Sequence, residues 1–254
     1  MTQLSFSAHA VDITLPQGWP ELSQVELQRV YALSAIYDSA SLPVAVFAAL
    51  TGMRIVRELE EGFLLLFRYR RKRARCVVTP EAMASVLKEL DWLFEPGRTP
   101  VRLEMMRGAR AVDAQLHNVQ FGVWLRLENL YQSFVDSRRP EILLSIASLL
   151  YPGLKLRKGG LTAAEQMNVL NWMVQIKNLF AGQFSHLFGA SGGVGQPSML
   201  EIMNNEIRAL TGGDVTREDI VLECDVWRAL TELDYKAKEA KDFNREMEKA
   251  RNGR

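Results

Sequence analysis

The residues that could do chemistry are few and scattered. The 254-residue chain holds three histidines, His9, His117 and His186, and two cysteines, Cys76 and Cys224. They do not have the spacing of a Cys/His zinc cluster, and His117 has no other histidine or cysteine at helical or hairpin spacing. The zinc-protease helix motif and the calcium-binding loop are both missing from the sequence. We therefore predict no catalytic residue, no metal site and no cofactor, and expect a protein that is not an enzyme.

A glycine-rich segment at residues 189–198, with the sequence GASGGVGQPS, could suggest a phosphate-binding loop. Such a loop needs a lysine and a hydroxyl residue at the start of the next helix, whereas Gln196 and Pro197 follow these glycines. The segment is instead typical of a flexible linker, which we place at residues 189–197.

A dense run of basic residues is the sharpest local signal. Six cations fall within eight residues, namely Arg68, Arg70, Arg71, Lys72, Arg73 and Arg75. The whole chain has a net charge of +1, so the remaining residues carry −5. The run could bind nucleic acid through its phosphates, bind an acidic protein surface, or be the solvated tip or face of a hairpin.

The elements that position these residues are mostly helices. Ser23 with Glu26, Thr162 with Glu165, and Ser198 with Glu201 have the spacing of capping boxes. Apolar residues at helical spacing predict further helices at residues 43–50, 80–93, 121–136 and 140–150. Residues 63–67 and 76–78 favour the two strands of a hairpin, and residues 101–119 favour irregular structure.

We therefore expect a mainly α fold. It comprises a multi-helix N-terminal domain at residues 1–188 with room for one small β-hairpin, the linker at 189–197, and a small helical C-terminal unit at 198–254. No apolar stretch is long enough to span a membrane, and the first nine residues lack a secretory signal, so we expect a cytoplasmic protein that does not bind membranes.

The last helix repeats apolar residues in a strict 4-3 pattern, with Asn244 as its one polar member. The other members are Val226, Leu230, Leu233, Ala237, Ala240 and Met247. This spacing is typical of a coiled-coil-like seam. The seam could pack against its own chain, against a partner, or against a second copy.

Six segments together resemble the tail assembly chaperones and related tail proteins of long-tailed bacteriophages and prophages. They are residues 15–23 (LPQGWPELS), 90–96 (LDWLFEP), 121–125 (FGVWL) with 149–152 (LLYP), 205–214 (NEIRALTGGD) and 227–234 (WRALTELD). The resemblance implies a helical, non-enzymatic protein that binds the tape measure and tail tube proteins in the bacterial cytoplasm. In that family a short form and a frameshift-extended form can coexist, and residues 189–198 would be a sensible join.

Two other functions fit the same sequence. One is a structural virion component, such as a head-tail connector or tail protein. The other is a nucleic-acid-binding protein that uses residues 68–75, a run that has no counterpart in the resemblance.

Overall fold

The computed structural model describes residues 2–5, 10–69, 72–97, 99–155, 159–189 and 198–252. These residues are mainly helical, which confirms the predicted fold class. The helices are α1 (Gln24–Ser34), α2 (Leu42–Thr51), α3 (Pro80–Lys88), α4 (Phe121–Ser137), α5 (Pro140–Leu150), α6 (Ala163–Gln183), α7 (Met199–Thr211), α8 (Glu218–Glu223) and α9 (Val226–Asn252). None of the described helices is both long enough and apolar enough to cross a lipid bilayer.

The strands are short and antiparallel. They are β1 (Thr2–Ser5), β2 (Ala10–Ile13), β3 (Arg54–Leu59), β4 (Gly62–Tyr69), β5 (Lys72–Val78), β6 (Met105–Met106) and β7 (Ala109–Arg110). β1 pairs with β2 and β6 with β7, while β3, β4 and β5 form a three-stranded sheet in that order. The single hairpin expected from the sequence is thus two strands of a larger sheet.

The chain divides into two compact units. The first contains Met1–Leu103 and Leu161–Asn171, and the second contains Glu104–Gly160 and Trp172–Arg254. This differs from the predicted division into residues 1–188 and 198–254, because α7, α8 and α9 all pack against α4 and so belong with the middle of the chain. Apart from Gly189, the predicted linker at 189–197 lies outside the described residues.

The first unit contains two tryptophans whose indole N–H groups donate hydrogen bonds to backbone carbonyls. Trp19 Nε1 donates to the carbonyl of Glu95 at 3.1 Å, and Trp92 Nε1 donates to the carbonyl of Pro16 at 2.9 Å. The two rings meet edge to face, with centroids 5.1 Å apart. These contacts hold the segment from Pro16 to Trp19 against the segment from Trp92 to Glu95.

The three-stranded sheet turns one face toward the core of the first unit. Leu65 is buried at the centre of β4, and Phe63 and Phe67 pack against the same core. Because side chains alternate along a strand, Leu64, Leu66 and Arg68 lie on the opposite face. After β5, the Thr79 side chain caps α3, which ends at Lys88, earlier than the predicted residue 93, and a 3-10 turn follows.

The second unit has an aromatic core. Phe180 packs edge to face against Trp124 and Trp227, with centroids 4.9 and 5.3 Å apart. Tyr151 and Trp172 are also buried, and Trp172 Nε1 donates to the carbonyl of Ala114 at 2.8 Å. The start of α9, which carries Trp227, is therefore an integral part of this core.

Candidate interaction surfaces

The predicted basic run lies on the β4–β5 hairpin. Arg68 is on β4, and Lys72, Arg73 and Arg75 are on β5, all with exposed side chains. Arg70 and Arg71 lie outside the described residues. The register places Arg68 directly opposite Arg73, and Leu66 opposite Arg75.

Two more arginines join this surface from β3, and neither belongs to the basic run that the sequence predicted. Arg54 lies opposite Leu66 and Arg57 opposite Leu64, so each shares the outer face of the sheet. Residues three apart on a regular strand would point to opposite faces, but a β-bulge between Ile55 and Arg57 restores them to one face. No simple periodicity in the sequence signals such a bulge.

We call the resulting set the arginine face: Arg54, Arg57, Arg68, Arg73 and Arg75. In the part of the chain that the structure describes, none of these five makes an ion pair with a carboxylate. Leu64 and Leu66 are half-buried between them, and Val77 is 44% exposed. The surface is therefore cationic with an aliphatic centre.

The predicted seam on α9 divides into two parts. Val226, Leu230 and Leu233 are buried in the second unit, whereas Ala237 is half-buried and Ala240 and Met247 are exposed. The first part thus packs on its own chain.

The second part of α9 is anchored at its base. The backbone N–H groups of His186 and Leu187 both donate to Asp234 Oδ1 at 2.8 Å, and Lys241 Nζ donates to the carbonyl of His186 at 2.7 Å. Every residue from 238 to 251 is exposed, a helical length of about 20 Å at 1.5 Å per residue.

This exposed part carries its own apolar stripe. Phe243 and Met247 are one helical turn apart and are 62% and 58% exposed. Ala240 and Ala250 lie on the same side by helical spacing, and we call these four residues the distal stripe. The predicted 4-3 repeat includes Asn244 and not Phe243, because it extends the spacing of the buried residues into the exposed part.

The structure also brings together residues that the sequence kept apart. A surface recess of about 500 Å³ is lined by His117, Asn118, Cys224, Asp225 and Arg228. Since His117 and Cys224 are separated by most of the second unit's sequence, no motif spacing could have linked them.

The groups in this recess are engaged in holding the fold. The Asp225 carboxylate accepts hydrogen bonds from the backbone N–H groups of Asn118, Trp227 and Arg228 at 2.8, 3.0 and 3.3 Å, so it fixes the start of α9. The His117 ring stacks on Trp227 with centroids 4.8 Å apart. Burial, and secondarily the charge of Asp225, raise the pKa of the Cys224 thiol, which favours the less nucleophilic protonated form.

Other candidate ligands do not converge. Among the described residues there is no group of three or more His, Cys, Asp or Glu side chains that could hold a metal ion. Cys76 is buried on the core face of β5, and burial raises the pKa of its thiol to about 11. His9 lies outside the described residues.

In comparisons with protein-family models, curated proteins and solved structures, the chain matches none of them. The most distinctive surfaces of the described residues are the arginine face and the distal stripe.

Proposed function

We propose that this protein is a non-enzymatic assembly factor for the tail of a long-tailed bacteriophage or prophage, acting in the host cytoplasm by binding the tape measure and tail tube proteins. The sequence resemblance suggests this class of protein. The distal stripe is the structural observation that carries the proposal, because it offers a partner a helix surface that is already formed.

The stripe suits a helical partner. Its apolar residues recur at spacings of three, four and three, which is the pattern that packs one helix against another. Glu239 and Glu246 follow one side of the stripe, and Arg251 lies on the other, so the rim is charged. A partner helix with an apolar stripe and complementary flanking charges would bury Phe243 and Met247.

The test is co-expression of the full chain with the tape measure protein and, separately, with the tail tube protein encoded near its own gene, followed by affinity purification. We expect at least one of the two proteins to co-purify with the chain. The double variant Phe243→Ser, Met247→Ser should weaken the complex at least tenfold, because it removes the two large side chains of the stripe.

The matched control is Arg245→Ser, Lys249→Ser, which changes two exposed residues on the other side of the same helix and should bind like the parent. Failure of the parent chain to bind either protein would reject the proposed function. Equal binding by the stripe variant and the parent would reject the stripe as the contact surface.

A structural virion component is the main competing function, since it would need the same partners. The two differ in the finished particle, from which an assembly factor should be missing. Mass spectrometry of purified particles distinguishes them: the chain at a stoichiometry comparable to the tail proteins would favour the structural role.

A further inference from the structure

The outer face of the three-stranded sheet is a second surface, unrelated to the distal stripe. We propose that the arginine face docks an acidic, amphipathic segment of a partner protein. This goes beyond the proposed tail-assembly function, which uses α9, and it does not depend on that function being correct.

The arginine face carries positive charge that no carboxylate compensates among the described residues. Arg68 and Arg73 are directly opposed across β4 and β5, a like-charge pairing that destabilises a sheet. Five exposed guanidinium groups lie on one face, with no carboxylate paired to any of them among the described residues. An anionic partner would relieve this repulsion between the arginines.

The distances between the arginines suit the carboxylates of a peptide segment. Arg73 and Arg75 are two residues apart on β5, which places them about 7 Å apart along the strand. Arg54 and Arg75 lie opposite the same residue, Leu66, from either side, about 10 Å apart across the sheet. Carboxylates on alternate residues of a strand, or one turn apart on a helix, match these distances and can bind each guanidinium through two hydrogen bonds.

The aliphatic side chains among the arginines favour a protein partner over nucleic acid. Leu64, Leu66 and Val77 lie among the arginines, so a partner that covers the face must also cover aliphatic side chains. A sugar-phosphate backbone has no apolar side chains to offer in return. Two aromatic residues of β4, Phe63 and Phe67, pack toward the core and so are not available to stack on bases. An acidic segment with its own apolar row satisfies both the charges and the leucines.

The test uses three fluorescent probes of equal net charge with the full chain. One is a 16-residue peptide in which glutamates flank a row of leucines. In the second peptide serine replaces each leucine, and the third probe is an oligothymidine. Binding is measured by anisotropy at low and moderate salt. We expect the leucine-containing peptide to bind at least tenfold more tightly than either of the other two.

The variant Arg57→Ser, Arg68→Ser, Arg75→Ser should lose at least tenfold in affinity for that peptide. The control Arg110→Ser, Arg126→Ser, Arg139→Ser removes the same charge from exposed residues elsewhere and should stay within twofold of the parent. A triple Arg→Lys variant at positions 57, 68 and 75 keeps the charge and should show an intermediate loss. Circular dichroism confirms that each variant is folded.

Three results would overturn the proposal. Tighter binding of oligothymidine than of the leucine-containing peptide would make the face a nucleic-acid surface. No binding of any probe at low salt would remove it as a docking surface. An equal loss in the control variant would reduce the effect to net charge.

Discussion

The carboxyl group of Glu206 should make the attachment of α7 sensitive to pH. Glu206 is partly buried, and Glu128 on α4 is buried with both of its oxygens within 2.9 Å of Lys177 Nζ. Burial, and secondarily the negative charge of Glu128, raise the pKa of Glu206 from 4.5 to about 7. In the folded chain Glu206 therefore keeps its proton well above the pH at which an unfolded chain releases it.

The sign of the effect follows from proton linkage. Between pH 4.5 and about 7 the folded state binds more protons than the unfolded state, so stability falls as the pH rises through this range and stays lower above it. At about 1.4 kcal/mol for each pKa unit the full loss would be about 3 kcal/mol. Residual solvent exposure of the side chain reduces the expected loss to about 2 kcal/mol.

The perturbation that tests this is Glu206→Gln, which keeps the shape of the protonated side chain but cannot ionise. Hydrogen exchange of the α7 backbone, corrected for the intrinsic rate at each pH, reports the local opening that exposes residue 206. At pH 8 the variant should be protected about 30-fold more than the parent, which corresponds to about 2 kcal/mol. At pH 5 the two should differ by less than about fivefold, or about 1 kcal/mol.

The control is Glu239→Gln, at an exposed site on α9, which should leave α7 protection unchanged at both pH values. The prediction would be refuted if the ratio of α7 protection in Glu206→Gln to that in the parent were the same at pH 8 as at pH 5. That result would mean that residue 206 ionises in the folded chain without cost.

Two stability predictions concern the joints of the fold. Asp225→Ala should destabilise the chain by about 2–4 kcal/mol in urea denaturation, because three backbone N–H groups lose a charged acceptor, and Asp225→Asn should recover at least half of the loss. Gly62→Ala should lower the thermal midpoint more than Gly52→Ala does. Both glycines have positive φ, but only at Gly62 would a Cβ overlap a backbone carbonyl, that of Val78, whereas the space around Gly52 is open. Equal midpoints for the two alanine variants would contradict that steric argument.

The features that were predictable from sequence depend on residues close together in the chain. Ser23 with Glu26 and Ser198 with Glu201 form the capping boxes that their spacing predicted. Thr162 and Glu165 exchange the same two hydrogen bonds at 2.7 and 3.3 Å. A capping box needs only four consecutive residues, so no distant contact can hide it.

The surfaces were harder to predict because they depend on pairing across the chain. Arg54 and Arg57 share a face with Arg68 only through a bulge and a strand pairing that the sequence does not encode locally. Phe243 was passed over because the buried frame of α9, set by Leu230 and Leu233, does not continue into the exposed part. A helix that leaves its core no longer has a neighbour to fix its apolar side, so the apolar residues of the exposed part follow a frame of their own.

The size of the distal stripe bears on which of the two tail functions is more consistent with the structure. Phe243 and Met247 are about three-fifths exposed, and burying what remains of each contributes roughly 1–2 kcal/mol. Two alanines add little to this. Association itself costs several kcal/mol, so the stripe alone gives a weak contact that forms and dissociates readily. A permanent virion subunit needs an interface of roughly 2,000 Å² or more, far beyond what four residues on one helix provide. The stripe by itself therefore suits a contact that is made during assembly and then released, and a permanent subunit would have to bury other surfaces of the chain as well.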